Sequence, residues 1–295
     1  MAEKVNEFLD QLKTELKGSD PALVQDALSD AEEHLRTALE MELTNSPGLS
    51  EENALRSILE KYGKPHEIAE AYKELDARIP HSFAPLREPD SRPFLIRFFS
   101  VFSDPRAWGA CLFMLISGLT GIVFGIWSII GGMFALLMLM FIFGLPLTGL
   151  YLLSIRGIGL IEGRIVEAFL GVRMPRKPLF VNNDQSWSDK FKSLVTESHT
   201  WKSFLYFVLM FPLGLIYCLL ILLLFFTSLS FILSPLMELV FHLPLELFGY
   251  EAYTPVWFLP VVVIVGIVLL PSTLHLAKLI GRTHGRFAKS ILVRG

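Results

Sequence analysis

The sequence predicts an all-α protein in two parts: a small cytoplasmic helical head, then a polytopic α-helical membrane domain of two repeated hairpins. Three observations carry this expectation. None of the 26 Lys and Arg residues falls between Ala107 and Ile155 or between Ser203 and Ala277, the stretches that hold most of the large apolar residues. Each stretch is too long for one crossing, because about 20 apolar residues rising roughly 1.5 Å each already span the hydrocarbon core, so each predicts two. The first 80 residues instead set apolar side chains at helical spacing among charges. With 52% hydrophobic residues, the composition excludes an ordinary soluble protein.

In the head, Val5, Phe8, Leu9, Leu12 and Leu16 mark one amphipathic helix, and Leu23, Ala27, Leu28, Ala31, Leu35 and Leu39 a second. Asp20-Pro21 separates them as an N-cap followed by proline at the first helical position. Ser50 is the expected N-cap of a third helix, with Glu51 and Glu52 near its positive end and Tyr62-Gly63 as its stop; Pro65 opens a fourth. Four short helices of this kind bury their stripes by packing together. The expected boundaries are 1–78 for the head, 79–106 for a Pro- and Arg-rich linker ending in an interfacial segment around Phe94–Phe99, and 107–295 for the membrane domain.

The first hairpin is expected at about 107–130 and 133–155, turning at Gly131-Gly132, and the second at about 203–233 and 256–277. A basic connector, 156–202, joins them. The outer segment, 234–255, is expected as one or two short helices punctuated by Pro235, Pro244 and Pro255. Pro146, Pro212 and Pro271 predict kinks within crossings. Basic residues crowd all three flanks, so the positive-inside rule puts both termini and the connector in the cytoplasm. A duplication shows through: Trp108 opens one hairpin as Trp201 opens the other, Gly159-Leu-Ile-Glu-Gly-Arg164 parallels Gly281-Arg-Thr-His-Gly-Arg286, and Leu170 matches Leu292. Both copies run in the same direction, which makes this a parallel repeat.

Charge is divided unevenly. Residues 1–80 carry nine basic against eighteen acidic side chains, and the remainder seventeen against eleven. The acidic head is suited to basic protein surfaces and ill suited to anionic lipid or nucleic acid. Cys111 and Cys218 lie in apolar runs and imply neither a disulfide nor a metal site. No apolar h-region precedes residue 100, so the head is expected to remain cytoplasmic.

Phe8-Leu9-xx-Leu12-xxx-Leu16, Asp30-xx-Glu33-His34, Gly48-Leu49-Ser50-Glu51-Glu52-x-Ala54 and Tyr62-Gly63-Lys64-Pro65-xx-Ile68-Ala69 together resemble the HAAS domain over about residues 3–77. That resemblance implies a bacterial signalling or protein-interaction module, often associated with PadR-like regulators. Residues 93–292 resemble the sensor domain at the membrane end of some bacterial histidine kinases, through Thr200, Trp201, Phe204 and Tyr206, Phe211-Pro212-Leu213-Gly214, and Arg156-Gly157 with Glu162 and Arg164. With no phosphoacceptor helix or nucleotide-binding domain before Gly295, this implies output through the head, in a multi-pass protein of the bacterial inner membrane.

Candidate functional residues follow. Glu33 and His34 are adjacent and point in different directions on one helix, so with Glu51 and Glu52 they suit partner binding better than acid–base catalysis. Glu238, His242, Glu246 and Glu251 are the candidate stimulus-binding residues, the first three recurring at i, i+4 and i+8. Gly118, Gly121 and Gly125 share a face for close helix packing, within the chain or in a homo-oligomer. Arg156, Glu162 and Arg164 are the connector residues expected to pass a change to the head. His275, near the end of the last crossing, suits a hydrogen bond to a neighbouring helix.

No phosphate loop, His-Glu-x-x-His or nucleophile elbow is present, so no enzyme, cofactor or metal is expected. The reading is a non-enzymatic sensor or adaptor contacting membrane lipids and a cytoplasmic or membrane protein partner, without direct nucleic-acid binding. The alternative is a transporter or the membrane subunit of a larger complex. A membrane enzyme using Glu162, His199 and His284 at the cytoplasmic rim ranks below both.

Overall fold

The computed structural model describes residues 2–45, 50–78, 93–141, 144–176, 187–242, 245–247, 250–252 and 255–293. The head is made of α1 (Ala2–Glu15), α2 (Pro21–Asn45), α3 (Glu51–Tyr62) and α4 (Pro65–Arg78). Asp20 Oδ1 accepts the Ala22 amide at 2.9 Å at the start of α2, and the Ser50 hydroxyl caps α3. Gly63, at φ 102°, ends α3 in a conformation that suits glycine. The apolar stripes meet in one core containing Phe8, Leu12, Leu16, Leu35, Leu55 and Ile58. Tyr72 donates its phenol proton to Asp30 across that core at 2.8 Å. Burial first, and then the Asp30 carboxylate, push the Tyr72 phenol above its ordinary pKa.

A short helix α5 (Phe94–Phe99) leads through a 3-10 turn (Ser100–Ser103) into α6 (Pro105–Met138). Phe94, Leu95 and Ile96 are exposed, as suits a segment lying among headgroups. The remaining elements are α7 (Gly144–Leu170), α8 (Trp187–Thr196), α9 (Ser198–Leu239), the antiparallel pair β1 (Leu245–Leu247) and β2 (Tyr250–Ala252), and α10 (Leu259–Leu292). Helices α6, α7, α9 and α10 are long and apolar enough to cross a membrane. At 34, 27, 42 and 34 residues, and about 1.5 Å of rise per residue, they outrun a roughly 30 Å hydrocarbon core. The surplus carries the basic residues flanking the apolar runs.

Several expectations are corrected. Gly131 and Gly132 do not form the first turn; they lie inside α6, and the chain reverses between Met138 and Gly144. A Cβ at Gly131 would come 2.7 Å from the Tyr151 ring, so that glycine serves helix packing rather than a turn. The outer segment is not a set of interfacial helices: α9 continues through Pro235 to Leu239, and the short hairpin follows. Pro146 falls in the first turn of α7, where its missing N–H costs no helical hydrogen bond, whereas Pro212 and Pro271 lie within α9 and α10. Expected positions 79–92 of the linker and 177–186 of the connector lie outside the described residues.

The seam between α6 and α9 holds the membrane domain together. A Cβ at Gly121 would meet the Met210 carbonyl at 2.4 Å, and one at Gly214 the Ser117 carbonyl at 2.0 Å. With Trp108 aligned on Trp201, Gly121 corresponds to Gly214 and Ser117 to Met210, so one contact occurs twice. The Trp108 indole donates to Phe102 O at 2.9 Å and the Trp201 indole to Val195 O at 2.7 Å, again equivalent positions. Gly118 and Gly125 join the seam, the first against Cys218 and the second against Phe211. The glycine face therefore packs within the chain.

Candidate functional site

At the end of the membrane domain that carries the head, α7, α9 and α10 bring Glu162, Tyr206 and His284 together. Their exposures are 1%, 0% and 2%. The Tyr206 hydroxyl donates to Glu162 Oε1 at 3.1 Å, and its oxygen lies 3.1 Å from His284 Nε2. A phenol has one proton, so donation to Glu162 requires His284 to donate through Nε2, leaving Nδ1 an acceptor. Among the described residues, Glu162 Oε2 and His284 Nδ1 are buried without hydrogen-bond partners, and no Lys or Arg forms an ion pair with Glu162. The rings of Phe113 and Tyr217 wall the imidazole at 4.9 and 5.6 Å. A buried acid without a cationic partner is costly to keep in a membrane bundle.

The cluster lies on the duplication. Glu162 and His284 are the same position of the Gly-x-x-Glu/His-Gly-Arg motif, and Tyr206 corresponds to Phe113. Around it the two halves repeat an ion pair. Arg156 bonds Glu197 at 2.6 Å and the Thr200 hydroxyl at 2.8 and 2.9 Å. Lys278 bonds Asp104, the residue that caps α6. Arg156 aligns with Lys278 and Glu197 with Asp104. Arg164 instead faces outward, pairing with Glu167 at 3.2 Å. His275 Nε2 lies 3.1 Å from Phe98 O and its ring stacks on Phe98, tying α10 to α5.

The head sits on this same end. Asp20, while capping α2, takes Lys289 of α10 at 2.5 Å. Asp26 accepts the Arg176 amide at 2.6 Å, and Asp76 pairs with Arg173. Ala22 is fully buried in the apolar cluster that contains Met174, Ala288 and Leu292. The sequence offers no direct sign of these seat residues or of Tyr206 as a site residue, and it sets His284 beside Glu162 only in the lowest-ranked enzyme reading. The indirect signals are the charge asymmetry and the motif alignment that sets His284 opposite Glu162.

Glu33 and His34 are exposed on α2, with the His34 ring stacked on Tyr62 at 4.7 Å. Glu52 is held by Lys4 at 2.5 Å, and that hydrogen bond lowers its carboxyl pKa. At the far end, Glu238 is in the last turn of α9, His242 follows the helix at φ 54°, and Glu246 faces Glu251 across the hairpin register. Glu238, His242 and Glu246 therefore share no helical face. The side chains of Glu51, Glu246 and Glu251 lie outside the described residues. Among the described residues, no group of three or more His, Cys, Asp or Glu could hold a metal ion.

A family model described as Putative sensor matches residues 119–292, more than half the chain and nearly all of the four-helix domain. The chain belongs to this family. A second model, HAAS, matches residues 7–71, the head. These two families assign the sensor protein a signalling role, with the head of a protein-interaction type. No curated protein and no solved structure matches.

Proposed function

We propose that this sensor protein is a non-enzymatic sensor or adaptor of the bacterial cytoplasmic membrane whose acidic head binds a regulatory protein, with PadR-like regulators as the class suggested by the HAAS likeness. The observation that carries the reading is the division of labour on the head. Asp20, Asp26 and Asp76 bind the membrane domain, while Glu33 and His34 lie on the exposed side of α2, and Glu51 and Glu52 at the start of α3 are further proposed partner-binding residues. The orientation is supported by charge: Arg156, Arg164, Arg173, Arg176, Lys278, Arg282, Arg286 and Lys289 belong to the head end, and positions 139–143 and 240–258 hold no Lys or Arg. Both termini are therefore assigned to the cytoplasm.

Sensing is favoured over transport by what the hydroxyls in the crossings do. Ser117 donates to the Met114 carbonyl of its own helix, and Thr148 and Ser228 donate across to the Ala135 and Gly266 carbonyls, so these three are used within the bundle; Thr120 and Ser128 keep buried hydroxyls that make no hydrogen bond among the described residues. The surface around Glu238, His242 and the hairpin carboxylates is where an outside stimulus would act. Lipids contact the long apolar faces, and a homo-oligomer would use those faces because the glycine seam is occupied internally.

The test is affinity capture of the full chain through a handle after Gly295, comparing wild type with Glu33→Lys/His34→Ala. A regulator retained by wild type and lost from the variant supports the reading. Identical captured proteins in both would overturn this partner surface.

A further inference from the structure

A cavity of about 300 Å³ lies where the head meets the membrane domain. Its wall is mostly apolar, with Met174 and Leu292 prominent, and α7 presents Gly157 and Gly159 to it. A Cβ at Gly157 would meet nothing within 4 Å, and one at Gly159 only ordinary contacts at 3.9 Å, so these glycines leave room rather than admit a neighbouring helix. The polar groups converge from three elements: Gln25 of α2, Arg156 of α7 and His199 of α9.

The hydrogen-bonding capacity left at this cavity is specific. His199 Nε2 contacts the Leu292 carbonyl at 3.0 Å, which makes Nε2 the donor and Nδ1 an acceptor; Nδ1 is buried and has no partner among the described residues. Arg156 uses Nε and Nη2 on Thr200 and Glu197, and among the described residues Nη1 donates to none. An occupant therefore needs one group that donates to an imidazole nitrogen and accepts from a guanidinium, as a hydroxyl does. Glu197 already balances the Arg156 charge, so the site calls for no full anion. A compact, largely apolar site with a few convergent polar groups is the usual form of a small-molecule pocket. Its size suits one chain and not a two-chain phospholipid.

We infer that this cavity binds a single-chain amphiphile with a hydroxyl-type headgroup, the chain lying along Gly157 and Gly159 and the hydroxyl bridging His199 Nδ1 and Arg156. Because Gln25 of the head completes the wall, occupancy bears directly on how the head is seated. The inference deepens the sensor reading by naming a ligand class, and its test reads binding alone, so it stands or falls separately from partner capture.

The full chain in phosphatidylcholine nanodiscs is irradiated with 1-decanol carrying a diazirine on its chain, and the labelled peptides are mapped. Labelling should fall on the α7 peptide Leu153–Gly163, drop at least tenfold with excess 1-decanol, and respond little to decane. Gly157→Leu, which fills the cavity where no atom opposes it, should lower that labelling about tenfold. His199→Phe, which leaves the glycine wall intact, should remove the preference for the alcohol over decane. Labelling confined to lipid-facing positions such as Leu119 and Leu136, equal competition by decane, or labelling unchanged in Gly157→Leu with the protein still monodisperse would overturn the assignment.

Discussion

Glu162 and His284 occupy one and the same position in the two halves of the membrane domain, and both reach the phenol of Tyr206, each at 3.1 Å. The duplication has placed an acid on one copy and a base on the other, joined by a residue whose own counterpart is Phe113. Removing the phenol by Tyr206→Phe strands two buried polar groups, a loss of about 1–3 kcal/mol. A lower thermal unfolding midpoint in detergent would show it. The double variant Tyr206→Phe/Glu162→Met should recover part of that loss, since one stranded group is then gone. If the double falls as far as the sum of the two single changes, the three groups do not act as a unit.

The glycine seam sets a steric limit. Gly214→Ala puts a methyl where the Ser117 carbonyl stands, and Gly121→Ala puts one on the Met210 carbonyl. Each should cost on the order of 1–3 kcal/mol through overpacking. Gly157→Ala, which meets nothing, should be nearly neutral. Thermal midpoints of the three variants, measured side by side, check the order.

Seating of the head depends on charge. Lys289→Asp breaks the pair with Asp20 and sets two carboxylates together, so amide exchange over residues 21–29 should quicken. Lys289→Arg, which keeps the charge and leaves the Asp20 cap of α2 in place, should keep most of the protection. Exchange in α2 as fast in Lys289→Arg as in Lys289→Asp would refute a direct pairing.

The pair Asp104 and Lys278 should show acid sensitivity. Burial pushes the Asp104 carboxyl up, but the Lys278 ammonium and the Arg106 amide outweigh it, and the folded value lies below the ordinary one. A folded value below the unfolded one contributes stability in full above about pH 4, and that stability is lost as pH falls through the folded value. Wild type and Asp104→Asn should therefore differ in thermal midpoint near neutrality and converge in acid. Partial exposure of both side chains keeps the difference modest.

Much of this architecture was legible in the residues because it follows from periodicity and charge. The run without Lys or Arg from Ala107 to Ile155 announces two crossings, and Asp20-Pro21, Ser50 and Pro65 mark helix starts that the structure keeps. The turn was misplaced because a Gly-Gly pair reads as a breaker, whereas Tyr151 needs the space beside Gly131. In lipid a helix also tolerates such residues, since leaving it would strand backbone groups. Pro235 misled for the same reason. The site was half legible: Glu162 stood out as an acid beside an apolar run, but its contact with Tyr206 and His284 depends on how three helices meet. The far-end carboxylates suggested a helical face only if the helix continued, and α9 ends at Leu239.

The head is anchored at two places that belong to different halves of the duplicated domain. Asp20 holds Lys289, near the end of the second half, and Asp26, farther along the same helix, holds Arg176, just beyond the end of the first. A helix does not stretch, so α2 acts as a ruler laid across the junction of the halves. Any sliding of one hairpin past the other must release one end of the ruler or tilt it. If signalling moves one hairpin past the other, a head pinned to both halves would be turned by it, and the surface that carries Glu33 and His34 would turn with it.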